Sequence, residues 1–106
     1  MRGVGQTTNL IYTLPNERCM VVTPNHGIAR MIEGSIKEVR GKNFAKSVKV
    51  ISVSSRDDLV KVRGYSHLIF FDHSFFDLVE EAIAKEALET AKGAAIVYHT
   101  HKGNFQ

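Results

Sequence analysis

The sequence predicts an α/β fold: a three-layer sandwich built on a mostly parallel four-stranded sheet. Three observations carry that expectation. Short apolar runs alternate with longer stretches whose apolar residues recur every three or four positions. The runs are apolar throughout rather than alternately apolar and polar, as expected of parallel strands covered on both faces. The chain has 106 residues, 43% hydrophobic and 24% charged, which is the make-up of one ordinary globular domain. Residues 1–106 are therefore read as a single minimal domain with right-handed crossovers. In such sheets ligands sit beyond the C-terminal ends of the strands.

Each element follows from local signals. Residues Thr7 to Leu14 can open a helix, stopped by Pro15-Asn16. Cys19-Met20-Val21-Val22-Thr23 reads as a strand closed by Pro24-Asn25. Ile28, Met31, Ile32, Ile36 and Val39 recur at helical spacing, predicting a helix over residues 26–40 that Gly41-Lys42-Asn43 breaks. Residues 48–53 form the next strand. Ser55 is placed to cap a short helix through Asp58, Leu59 and Val62 that ends at Gly64. Residues 67–72 give the strongest strand. Ser74 is then expected to cap one long helix with Phe75, Phe76, Val79, Ala82, Ile83 and Ala87 inward, closed by Gly93. Residues 94–99 are the last strand.

Composition narrows the function. A net charge of +3 permits an anionic partner without requiring one. The single cysteine, Cys19, rules out an internal disulfide and reads as a small buried hydrophobe. The sequence carries neither a run of transmembrane length nor a signal-peptide core, so no membrane partner and a cytoplasmic setting are expected.

Four segments carry chemistry. Arg2-Gly3-Val4-Gly5-Gln6-Thr7-Thr8 matches the second half of the phosphate-binding pattern G-x-x-x-x-G-K-[ST], with Gly5 at the second glycine and Thr7 at the hydroxyl position. Gln6 stands where the lysine would be, and the first glycine would fall before Met1. The strand that leads into such a loop is expected to be missing. Leu68-Ile69-Phe70-Phe71-Asp72-His73 is an apolar strand ending in an acid. Thr23-Pro24-Asn25 follows an earlier strand, and Tyr98-His99-Thr100-His101 ends the last one.

Taken in order, these segments resemble the core of P-loop NTPases of the RecA or helicase-like type, and the resemblance spans nearly the whole chain. It implies a degenerate Walker A loop over Gly3, Gly5, Gln6, Thr7 and Thr8, whose backbone N–H groups would hold phosphates. It implies a Walker B strand ending at Asp72, with Thr7 and Asp72 on Mg²⁺ and ATP or ADP as the nucleotide. His73 stands where the family commonly has a catalytic Glu, so Asp72 and His73 are the candidate catalytic pair. His99 and His101 would occupy the sensor position. The neutral Gln6 and the absent Glu remove charge stabilisation on which phosphoryl transfer depends.

Two further patterns stand beside it. Lys37, Arg40, Lys42, Lys46 and Lys49 fall close together with only Glu38 against them, which suits contacts to nucleic-acid phosphates or a solvated surface. Asp72, His73, His99 and His101 map to the ends of two strands and could form a metal site if those strands are neighbours. No G-x-S-x-G elbow supports a serine hydrolase.

The sequence thus reads as a degenerate NTPase-like module that binds a nucleotide, nucleic acid or protein partner rather than hydrolysing efficiently. The alternative is a minimal Mg²⁺-dependent ATPase or helicase-like hydrolase completed by oligomerisation. A missing first strand would leave an edge, so a rearranged strand order or a homodimer is expected.

Overall fold

Three parallel strands form the centre: β1 (Cys19–Thr23), β2 (Val48–Ser52) and β3 (Leu68–Phe71). The computed structural model describes residues 4–63, 65, 67–91 and 96–98, with residues 4–7 and 96–98 described through their backbone alone. β1 lies between the other two, with Val21 level with Val50 on one side and with Phe70 on the other. A three-residue strand, β4 (Ile96–Tyr98), pairs in parallel with the far side of β3, giving the order β2-β1-β3-β4.

All five residues of β1 are buried, because helices cover both faces. Side chains alternate across the sheet with the two-residue period of a strand. Met20, Val22, Ile51, Ile69 and Phe71 point to one face. There they meet a 3₁₀ helix (Arg56–Lys61), α4 (His73–Leu78) and α5 (Glu81–Thr90) through Leu59, Phe75, Phe76, Ala84 and Ala87. Cys19, Val21 and Phe70 point to the other face. They pack on Leu10, Ile11 and Leu14 at the end of α1 (Val4–Thr13), and on Ile32 and Ile36 of α2 (His26–Arg40).

α2 spans the predicted residues, and Asn25 caps it by accepting the Ile28 N–H at 2.9 Å. Its buried stripe differs from the expected one. Ala29, Ile32 and Ile36 are buried, whereas Met31 and Val39 are 54% and 41% exposed. Gly41 ends the helix with φ 96° and ψ 158°, a conformation essentially confined to glycine. The chain then re-enters a single helical turn, α3 (Lys42–Ala45), where the sequence suggested only a break.

The expected long helix after β3 is two helices. Val79 and Glu80 leave the helical conformation, with ψ of 144° and 138°, between α4 and α5. Phe75 and Ala84 are both fully buried in the same core. On an unbroken helix they would lie about two and a half turns apart and face opposite sides. The break lets both reach the sheet, and it leaves Ala82 exposed. Asp72, not Ser74, is the N-cap of α4. Ser55 precedes the 3₁₀ helix but makes no side-chain cap bond. α1 begins at Val4, three residues before the predicted start.

Candidate functional site

The strand order fixes where a ligand would sit. From β1 the chain moves outward to β2 through α2 and α3, on one face of the sheet. It then crosses back to β3 and moves on to β4 by way of the other face. The direction of winding therefore reverses between β1 and β3. The crevice beyond the C-terminal ends of two such strands is the usual ligand site of an open parallel sheet.

Two of the sequence-predicted segments meet there. Thr23-Pro24-Asn25 leaves β1, and Asp72-His73 leaves β3. The Asp72 N–H donates to the Val22 carbonyl at 3.1 Å, so the two exits are side by side. Thr23 is fully buried, and its hydroxyl donates to the Ile51 carbonyl at 2.8 Å, tying the end of β1 to β2. The Asp72 carboxylate is 1% exposed. It accepts from the Ser74 N–H at 3.1 Å and from the Ser74 hydroxyl. His73 is 9% exposed. Its Nδ1 is buried and finds no hydrogen-bond partner among the described residues; it lies 3.7 Å from Asp72 Oδ2, a separation too long for a hydrogen bond.

α1 leads by a short loop into β1, and its C-terminal half packs on the sheet and α2 through Leu10 and Ile11, followed by Leu14 in the loop. Gly5, Gln6 and Thr7 fall in its first turn and Thr8 is exposed just after it. Gly3, His99 and His101 lie outside the described residues, which also leaves the sensor-like pair and the wider His/Asp metal site untested there. Among the described residues, no group of three or more His, Cys, Asp and Glu side chains is arranged to hold a metal ion.

A second polar group at the end of β2 was not singled out in the sequence. Ser52 Oγ lies 3.3 Å from His26 Nδ1. Lys61 donates to the Ser52 carbonyl at 3.2 Å and pairs with Asp58 at 3.3 Å. The Ser54 N–H, donating to Asp58, and the Lys61 ammonium hold the Asp58 carboxyl below the usual aspartate range, against the opposing effect of partial burial. The signal that could have located this group is the clustering of hydroxyls at the end of an apolar strand, facing the His that follows Thr23-Pro24-Asn25.

The basic residues are placed elsewhere. α2 carries the chain back from the C-terminal end of β1 to the N-terminal end of β2, so Lys37, Arg40, Lys42 and Lys46 gather at the sheet's opposite end. Lys37, Lys42, Lys46 and Lys49 are exposed. Arg40 is half-buried and engaged, with its guanidinium 2.7 Å from the Ile11 carbonyl and 3.9 Å over the Phe44 ring.

Compared with known proteins, the chain matches no family model, no curated protein and no solved structure. No helix among the described residues is long and apolar enough to cross a membrane.

Proposed function

We propose that this chain is a degenerate P-loop NTPase-like module that works by binding an anionic ligand, a nucleotide phosphate first among them, in the crevice between β1 and β3. The observation that carries the reading is the reversal of winding at that point, which sets Thr23-Pro24-Asn25 beside Asp72-His73. On this reading the start of α1, with Gly5, Gln6, Thr7 and Thr8, would supply a helix N-terminus suited to a phosphate.

The environment of Asp72 favours binding over hydrolysis. Hydrated Mg²⁺ is held by carboxylate oxygens that face the ligand and its waters. The Asp72 carboxylate is instead buried and occupied by the Ser74 N–H and hydroxyl. This arrangement does not fit a Mg²⁺ ligand. Gln6 carries no charge with which to offset that of a phosphate.

Calorimetric titration with ATP and ADP, each with and without Mg²⁺, tests the reading, with a Gln6→Lys variant in parallel. The expected result is saturable binding that does not need Mg²⁺, is strengthened by Gln6→Lys, and is accompanied by negligible turnover. Mg²⁺-dependent turnover abolished by Asp72→Asn would overturn it in favour of a hydrolase. Absence of binding by both proteins would remove the nucleotide.

A further inference from the structure

We propose that the outer edge of β2 and the groove beside it form a docking site for an extended, acidic peptide segment of a partner protein. The site is separate from the crevice between β1 and β3 and does not depend on what binds there.

β2 is the last strand on its side of the sheet, and among the described residues nothing pairs with its outer edge. An open edge presents a row of backbone N–H and C=O groups that an added strand can satisfy. Beside this edge α2 and α3 leave the sheet incompletely covered. A groove of about 110 Å³ opens there, walled by Ile36, Ala45, Val48 and Val50 with Glu33 and Lys37 at its polar side. A cavity of roughly 150 Å³ accommodates benzene, so this groove has room for about one apolar side chain. Val48 and Val50 are only half-buried, although both point to the face where their neighbours in β1 are fully buried.

The occupant is set by pleat and charge. A strand laid against β2 would direct alternate side chains to the α2 face, into the groove, and the intervening ones to the face that carries Lys49. Lys37 lines the groove and the exposed Lys42 and Lys46 lie on the segment that leads into β2, with Glu33 as the opposing charge in the wall. This field favours a segment in which an apolar residue alternates with Asp or Glu. It disfavours a second copy of the chain, because β2 paired with β2 would bring lysines against lysines. Nucleic acid would use the same charges, but it has no use for the strand's hydrogen-bonding edge.

The test is a selection from a displayed library of random short peptides on the intact chain. Fluorescence anisotropy then measures the enriched peptide against wild type, a Lys37→Glu/Lys49→Glu variant and a Val50→Thr variant, with thermal melts for each. Both lysines are exposed, so the charge variant is expected to melt like the wild type. The expected result is enrichment of acidic peptides with alternating apolar residues, affinity weakened by salt, and a loss of about tenfold or more in the charge variant. Backbone N-methylation of the peptide on its pairing edge should abolish binding. Failure to enrich any such peptide would overturn the proposal. So would tight binding of single-stranded oligonucleotide that the peptide fails to displace. A concentration-dependent dimer that buries the β2 edge would overturn it as well.

Discussion

The Arg40 guanidinium joins the ends of two helices: it lies 2.7 Å from the Ile11 carbonyl in the last turn of α1 while stacking over Phe44 of α3. The last carbonyls of a helix have no partner within it, and a cation there also meets the negative end of the dipole. The planar guanidinium can donate and stack at once, which an ammonium cannot reproduce. Arg40→Ala is expected to destabilise the fold by about 1–3 kcal/mol, and Arg40→Lys to recover only part of that. Urea denaturation of the three proteins measures it. An Arg40→Ala protein as stable as wild type would show that the clamp contributes nothing.

Asp72 gives a second prediction. Its carboxylate caps α4 through Ser74, and loss of such a cap costs about 1–2 kcal/mol. Asp72→Ala should therefore lower the denaturation midpoint, whereas Asp72→Asn, whose amide oxygen can still accept the Ser74 N–H, should lose less. Equal losses for Asn and Ala would point to the charge rather than the cap as the stabilising feature.

Two glycines of one helical hairpin should respond in opposite directions. A Cβ at either Gly34 or Gly41 would meet nothing within 4 Å, so the backbone alone decides. Gly41 has φ 96°, and Gly41→Ala should cost about 1–3 kcal/mol. Gly34 lies exposed within α2, and Gly34→Ala should stabilise by about 0.5–1 kcal/mol. Thermal melts of the two variants, displaced to opposite sides of wild type, are the expected outcome.

Cys19 makes stability sensitive to alkaline pH. Burial pushes its thiol up from 9.0 to about 11, with Glu17 adding to the effect and Arg40 opposing it. Below pH 9 both folded and unfolded thiols hold their proton and the contribution is fully present. Between pH 9 and about pH 11 the unfolded thiol ionises while the folded one does not, so stability falls as pH rises. The loss attributable to this group is on the order of 2 kcal/mol. It is read as the difference between wild type and Cys19→Ala across that range. Parallel pH profiles for the two proteins would refute it.

Much of the fold could be read from local pattern. The span of α2 and the strand Cys19–Thr23 follow from an apolar stripe of helical period, a β-branched run, and capping residues at known places. The split between α4 and α5 could not be read this way. Val79-Glu80 contains neither glycine nor proline, and the break is imposed by the need of Phe75 and Ala84 to face one sheet. Exposure of Met31 and Val39 was hidden for a related reason. Periodicity marks a face of a helix, but the neighbouring α1 and the sheet determine how wide a stripe is covered.

The candidate site divides along the same line. Asp72, His73 and Thr23-Pro24-Asn25 could be picked out as polar groups ending apolar strands. Their adjacency depends on β3 returning to the far side of β1, which no short stretch of sequence encodes. The seclusion of the Asp72 carboxylate, the pairing of Ser52 with His26 and the engagement of Arg40 with Ile11 likewise join residues distant in the chain or depend on burial.

By itself, then, the sequence determined the type, order and approximate limits of most elements of this protein, because hydrophobic period, caps and turn residues act over a few positions. The tertiary structure decided the strand order, the break in the last helical segment, the covered faces and the open edge at β2. Those outcomes depend on which surfaces can be buried together, and that competition is settled only when the whole chain packs.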